Sequence, residues 1–142
     1  MPANVSSAKN AFKLIRKGDP ILLKKCQPVS FPIEDDVYEC IDTMKHTLRN
    51  VDGFWEKRGI SMAAPQVGYL YRLFIMCNRQ NWYGENQFKS FQTFINPKIT
   101  AQSEEKIIAW EGCVSENDSI LLVERPMHIK VEFNTLKQMS KE

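Results

Sequence analysis

Arg58-Gly59-Ile60-Ser61-Met62-Ala63-Ala64-Pro65-Gln66-Val67-Gly68 gathers glycines, alanines and a proline around a single uncharged amide. Further along, Trp110-Glu111-Gly112-Cys113-Val114-Ser115 places a thiol between a glycine and a β-branched residue. Small side chains let backbone approach a ligand closely, and glycine tolerates the positive φ that such approaches often need. Gln66 therefore sits on a constrained backbone. Read one at a time, the two stretches also fit a close-packed turn and an unrelated buried cysteine; their joint occurrence is more specific than either.

Around these stretches the chain reads as one α+β domain. Its 142 residues are enough to bury one core, and a composition 43% hydrophobic and 25% charged is that of a globular protein. Nineteen Lys+Arg against 17 Asp+Glu leave a net charge of +2, with no basic block. Nucleic-acid binding is not indicated. No apolar run reaches the roughly 18 residues of a membrane span. Cys26, Cys40, Cys77 and Cys113 are scattered without a C-x-x-C, which argues against a disulfide framework. The first three read as core residues, and Cys113 alone has a setting that suggests chemistry.

Val37, Ile41, Met44 and Leu48 recur at helical spacing, so a helix is expected over Glu34 to Asn50, with acids in its first turn and bases in its last. His46 lies off that stripe. Tyr69 to Cys77, Phe91 to Ile95, Ile107 to Trp110, Ile120 to Val123 and the Val131–Phe133 alternation read as short antiparallel strands, with His128 on the polar side of the last. Asn78 to Ser90 reads as a surface loop and Lys137 to Glu142 as a polar tail. Residues 1–17 are expected as an arm of a helix turn or frayed chain, and 18–142 as the domain. Nothing before residue 33 reads as catalytic.

Gly59-Ile60-Ser61-Met62-Ala63-Ala64-Pro65-Gln66 resembles the first motif of the peptide deformylases, and Glu111-Gly112-Cys113-Val114-Ser115 resembles their second. Gly18-Asp19-Pro20-Ile21-Leu22 and Phe94-Ile95-Asn96-Pro97 are similar to two further segments of that family in the same order. The resemblance implies an α+β fold of antiparallel sheets around a helix. It also implies hydrolysis of the N-formyl group from formyl-methionyl polypeptide ends, at a divalent metal: Fe2+, with Zn2+ or Ni2+ as alternatives. Bound water on such a metal ionises near about pH 7.

Residue by residue, the resemblance makes Cys113 a metal ligand and makes Gln66 and the Val114 backbone N–H donors to the oxyanion. Gly59 and Ser61 would pair with the peptide like an added strand. Ile60 would wall the methionine side chain, Arg125 would lie near the downstream peptide and Glu111 would buttress the motif. Ser61 stands where the family has a second glycine and requires a negative φ. The family's third motif, His-Glu-x-x-His on a helix, does not occur in these residues, and His46 and His128 lack its spacing.

The domain is therefore expected to be incomplete at its C-terminal end and inactive as given, with an open apolar sheet face through which it can self-associate. The alternative is a non-catalytic deformylase-like binding or assembly protein. Expected partners are formyl-methionyl peptide ends and the ribosome, not DNA or a membrane. The acid-free lead-in carrying Lys9, Lys13, Arg16 and Lys17 points to the mitochondrion over a bacterial-type cytoplasm.

Overall fold

The computed structural model describes residues 12–51, 60–77 and 91–139, the side chains at 117, 118, 138 and 139 excepted. Gly59, Trp55, Gly53 and the loop expected over Asn78–Ser90 lie outside the described residues. No helix among those described is long and apolar enough to cross a membrane.

Helix α1 spans Asp35–Arg49, with Asp35 and Asp36 in its first turn and Arg49 in its last. That charge order complements the helix dipole. Its stripe of Val37, Cys40, Ile41, Met44 and Leu48 is buried, as the spacing predicts. The stripe packs in one core with alternate residues of β1 (Ile60–Ala63) and β2 (Leu73–Cys77) and with Ile95 of β3 (Phe91–Gln102). Period-two alternation puts Ile60 and Met62, then Leu73, Ile75 and Cys77, on the helix side. The described strands form an antiparallel sheet in the order β1-β2-β3-β6, with β6 spanning Ile129–Asn134, and a separate hairpin of β4 (Lys106–Cys113) and β5 (Glu116–Pro126). On the far face of the sheet Phe94 stacks on Phe74 at 4.5 Å between centroids and tilts against Phe133 at 4.4 Å.

Several boundaries differ from the sequence expectation, each for a physical reason. The strand expected from Tyr69 begins only at Leu73, because the backbone at Leu70 and Arg72 bonds Gln27 instead. The strand expected to stop at Ile95 runs through Asn96-Pro97 to Gln102, with its register against β6 shifted between Ile95 and Lys98. Proline is tolerated at such a bulge because no ladder N–H is demanded there. Glu116 to Ser119, which separates two of the expected strands, belongs to β5, with Glu116 paired to Cys113. After Phe133 the chain makes a one-turn helix, α2 (Leu136–Met139), whose Leu136 packs against the core. Cys40 and Cys77 are buried, but Cys26, expected in the core, is only partly buried.

Asn96 adopts φ 50°, a left-handed conformation for a non-glycine residue. Its side chain accepts from the Val29 N–H at 2.7 Å and donates to the Val29 carbonyl at 2.9 Å. One amide thus stands in for a strand residue beside a buried valine. Asn96→Ala leaves both Val29 groups unpaired, and the expected loss is about 2 kcal/mol of unfolding free energy. A urea midpoint unchanged from wild type would refute this account.

Two acids next to the core tie stability to alkaline pH. Hydrogen bonding to Asp36, with burial, pushes the Tyr71 hydroxyl up from 10.0 to about 12. Burial, with Asp36 and Glu39 nearby, pushes the Cys40 thiol up from 9.0 to about 12. Both raised values favour the protonated form in the native state. Their contribution is complete below about pH 9 and is lost as pH rises towards 12, where the unfolded chain ionises first. The melting temperature should fall between pH 9 and 12, and Tyr71→Phe should shallow the decline above pH 10.

Candidate active site

Ala64-Pro65-Gln66-Val67 forms one turn of 3-10 helix directly after β1, and Gly68 ends it with φ 89°. Proline near the start of a turn loses no needed donor, and glycine takes the left-handed exit without strain. This turn fixes Gln66, whose side-chain carbonyl accepts from the Ala63 N–H at 2.9 Å. With the oxygen so used, the amide nitrogen faces the other way, towards the end of β4. There Gln66 Nε2 lies 3.5 Å from Cys113 Sγ and 3.0 Å from Ser115 Oγ.

Gln66 and Cys113, 47 residues apart, therefore share one centre. The Cys113 thiol is exposed. Val114 and Ser115 make the turn between β4 and β5, and both are buried, at 9% and 5% exposure. Ser61 is exposed on the strand leading to Gln66, while Ile60 is buried on the core side. Left-handed φ among the described non-glycine residues occurs at Asn96 alone, so Ser61 meets the condition its side chain imposes.

Glu111 and Arg125 sit on the two strands of the hairpin. Arg125 donates two parallel bonds to Glu111, Nε to Oε1 at 2.5 Å and NH2 to Oε2 at 2.6 Å. This fork holds the Glu111 carboxyl below its usual range and the guanidinium above its own. Stability from Glu111 is present above its unfolded value and is lost as pH falls through the lowered one. The planar guanidinium is thus turned along the hairpin to brace Glu111, two residues before the thiol.

The same strands carry Ile108, Trp110, Ile120 and Leu122 more than half exposed. Trp110 stands opposite Leu122, and Gly112 opposite Ile120.

The described residues do not by themselves make a metal site: no group of three His, Cys, Asp or Glu side chains among them is placed to hold an ion. What they do form is an exposed thiol with the Gln66 side-chain amide against it, and a donor so placed is suited to stabilising a developing oxyanion.

The sequence reading gave Ser115 and the segment before Gly18 no part in the site. Ile15, Arg16 and Lys17 run against both motifs, and Lys17 Nζ pairs with Glu116 at 2.6 Å. A charge signal was present, two bases just before Gly18 and an acid just after Ser115. Beside this contact a recess of about 260 Å³ opens between Lys17, Leu22 and Leu23 on one side and Cys113, Ser115 and Glu116 on the other.

A family profile described as polypeptide deformylase matches residues 11–142, a span that includes both motifs. The chain is similar to the peptide deformylase of Finegoldia magna, 36% identical over 127 residues that cover 89% of this chain and 70% of that protein. It is 35% identical over 120 residues to the peptide deformylase of Rhizobium meliloti, covering 84% of this chain and 63% of that one. Among solved structures, that of a probable peptide deformylase from Synechococcus phage S-SSM7 superposes with a TM-score of 0.73 at 34% identity, over 90% of this chain and 79% of the other. The chain thus spans between 63% and 70% of the length of these two curated relatives.

Proposed function

From the premise that the chain belongs to the polypeptide deformylase family, we propose that it hydrolyses the formyl group from formyl-methionyl polypeptide ends. The observation that carries this reading is the 3.5 Å approach of the Gln66 amide to the Cys113 sulfur. Hydrolysis of a formyl amide passes through a tetrahedral oxyanion, and donors aimed in advance at that oxygen supply the largest share of such catalysis. Gln66 Nε2 and the backbone N–H of Val114 are the donors, and Ser115 Oγ keeps the amide turned towards the centre.

The family is metal-dependent, and a bound divalent ion, Fe2+ in this reading, supplies an ionised water and polarises the carbonyl. Cys113 is the ligand this segment offers; the others would come from outside the described residues. Ser61 and Gly59 would bond the peptide backbone, with Ile60 near the methionine side chain.

The test is formate release from formyl-Met-Ala-Ser with Fe2+ or Ni2+ supplied. Release that Cys113→Ala abolishes supports the proposal. Release that survives Cys113→Ala removes the thiol from it, and no release from the metal-loaded protein overturns it. Mitochondrial localisation rests on the basic, acid-free lead-in and is read by a fluorescent fusion. Ribosome association and self-association through the exposed apolar hairpin are read by co-sedimentation and by light scattering.

A further inference from the structure

We propose that Ile15-Arg16-Lys17 is a clasp that sets the spacing of Gln66 and Cys113, which makes Arg16 and its neighbours positioning residues of the site. The Ile15 N–H donates to the Gln66 carbonyl at 2.7 Å, and two residues on the Lys17 N–H donates to the Ser115 carbonyl at 3.0 Å. Between them the Arg16 guanidinium donates to the Val114 carbonyl at 3.3 Å. With the bond from Gln66 Nε2 to Ser115 Oγ at 3.0 Å, these contacts close a ring: clasp, glutamine, serine and back to clasp. A ring of short bonds admits little relative movement of its members; the amide is one of them, and the sulfur lies two residues before its serine.

Among the described elements the rest of the fold adds little to this fixation. Strands β4 and β5 pack chiefly on each other, and Val114 is the hairpin residue that reaches the buried core. The hairpin could therefore pivot about Val114 were its turn not bonded elsewhere. Arg16 and Lys17 hold the carbonyls of the two peptide units that follow the Val114 N–H. The Lys17–Glu116 pair, with the lysine side chain 69% exposed, adds little of its own. The backbone bonds and the guanidinium carry the clasp.

The inference rests on reading Gln66 and Cys113 as one centre, but its test does not require hydrolysis. The probe is the rate of Cys113 alkylation by iodoacetamide at one fixed pH, read by mass spectrometry, with the partly buried Cys26 as internal reference. The Gln66 amide lies against the sulfur at 3.5 Å, so a loosened clasp should uncover the thiol and speed its alkylation by about threefold or more. Arg16→Met should do this with Cys26 and the melting temperature unchanged, and Arg16→Lys, which can still donate to a carbonyl, should restore it. In a Gln66→Leu background Arg16→Met should have no further effect, because the clasp acts through that amide.

An unchanged Cys113 alkylation rate in Arg16→Met, or an equal effect with and without Gln66, overturns the proposal. Arg16 is exposed, so the variant is expected to fold; Arg16→Leu, equally without a donor, serves the same comparison should Arg16→Met not.

Discussion

Gln66→Glu should lower kcat/KM for a formyl-methionyl peptide by about a hundredfold or more, roughly 3 kcal/mol of transition-state stabilisation, while the protein stays folded. Glutamate keeps the oxygen that accepts from the Ala63 N–H. What changes is the group facing the thiol: two N–H donors give way to a carboxylate, where negative charge develops in the reaction. Glutamate separates the catalytic loss from the structural one better than leucine, which would also orphan the Ala63 N–H. The measurement is formate release alongside thermal unfolding. Full activity with an intact fold would remove the amide from the chemistry.

A comparable effect of a different kind is expected at Leu48, which is fully buried on α1. Leu48→Ala removes three carbons from a core in which that helix packs on the sheet, and the expected cost is about 2–5 kcal/mol. Leu23, 91% exposed, provides the control: Leu23→Ala should fall within about 0.5 kcal/mol of wild type. Urea midpoints with unchanged slopes distinguish the two. Equal effects would mean that the helix stripe is not the main support of the domain.

The helix was legible because burial at positions 37, 41, 44 and 48 imposes a period that no other structure shares. Leu73 and Ile75 were legible as strand from the run of aromatic and branched residues around them, whereas the strand at Ile60–Ala63 was not read, because its small residues show no such run. The roles of Gln66 and Cys113 were not contained in any periodicity; they came from the resemblance, and their closeness is a tertiary fact. What escaped reading was held by backbone groups, which every residue carries alike. Asn96 bonds Val29 across 67 positions, and Arg16 bonds a carbonyl 98 positions away. The polar residues after Ser115 looked like a loop because turn-forming side chains also occupy an exposed hairpin strand. The tail's short helix escaped because one turn is too brief to show a stripe.

The reach of the clasp has a consequence for the timing of assembly. Closing a contact over 98 positions costs more chain entropy than any contact within α1, so it forms after the local structure that brings its ends near. During synthesis, the helix and the first strands can gather while Val114 and Ser115 are still unmade. The reacting pair is then among the last features to arise, and a nascent chain stopped short of residue 113 would hold most of the core and Gln66 without its partner thiol.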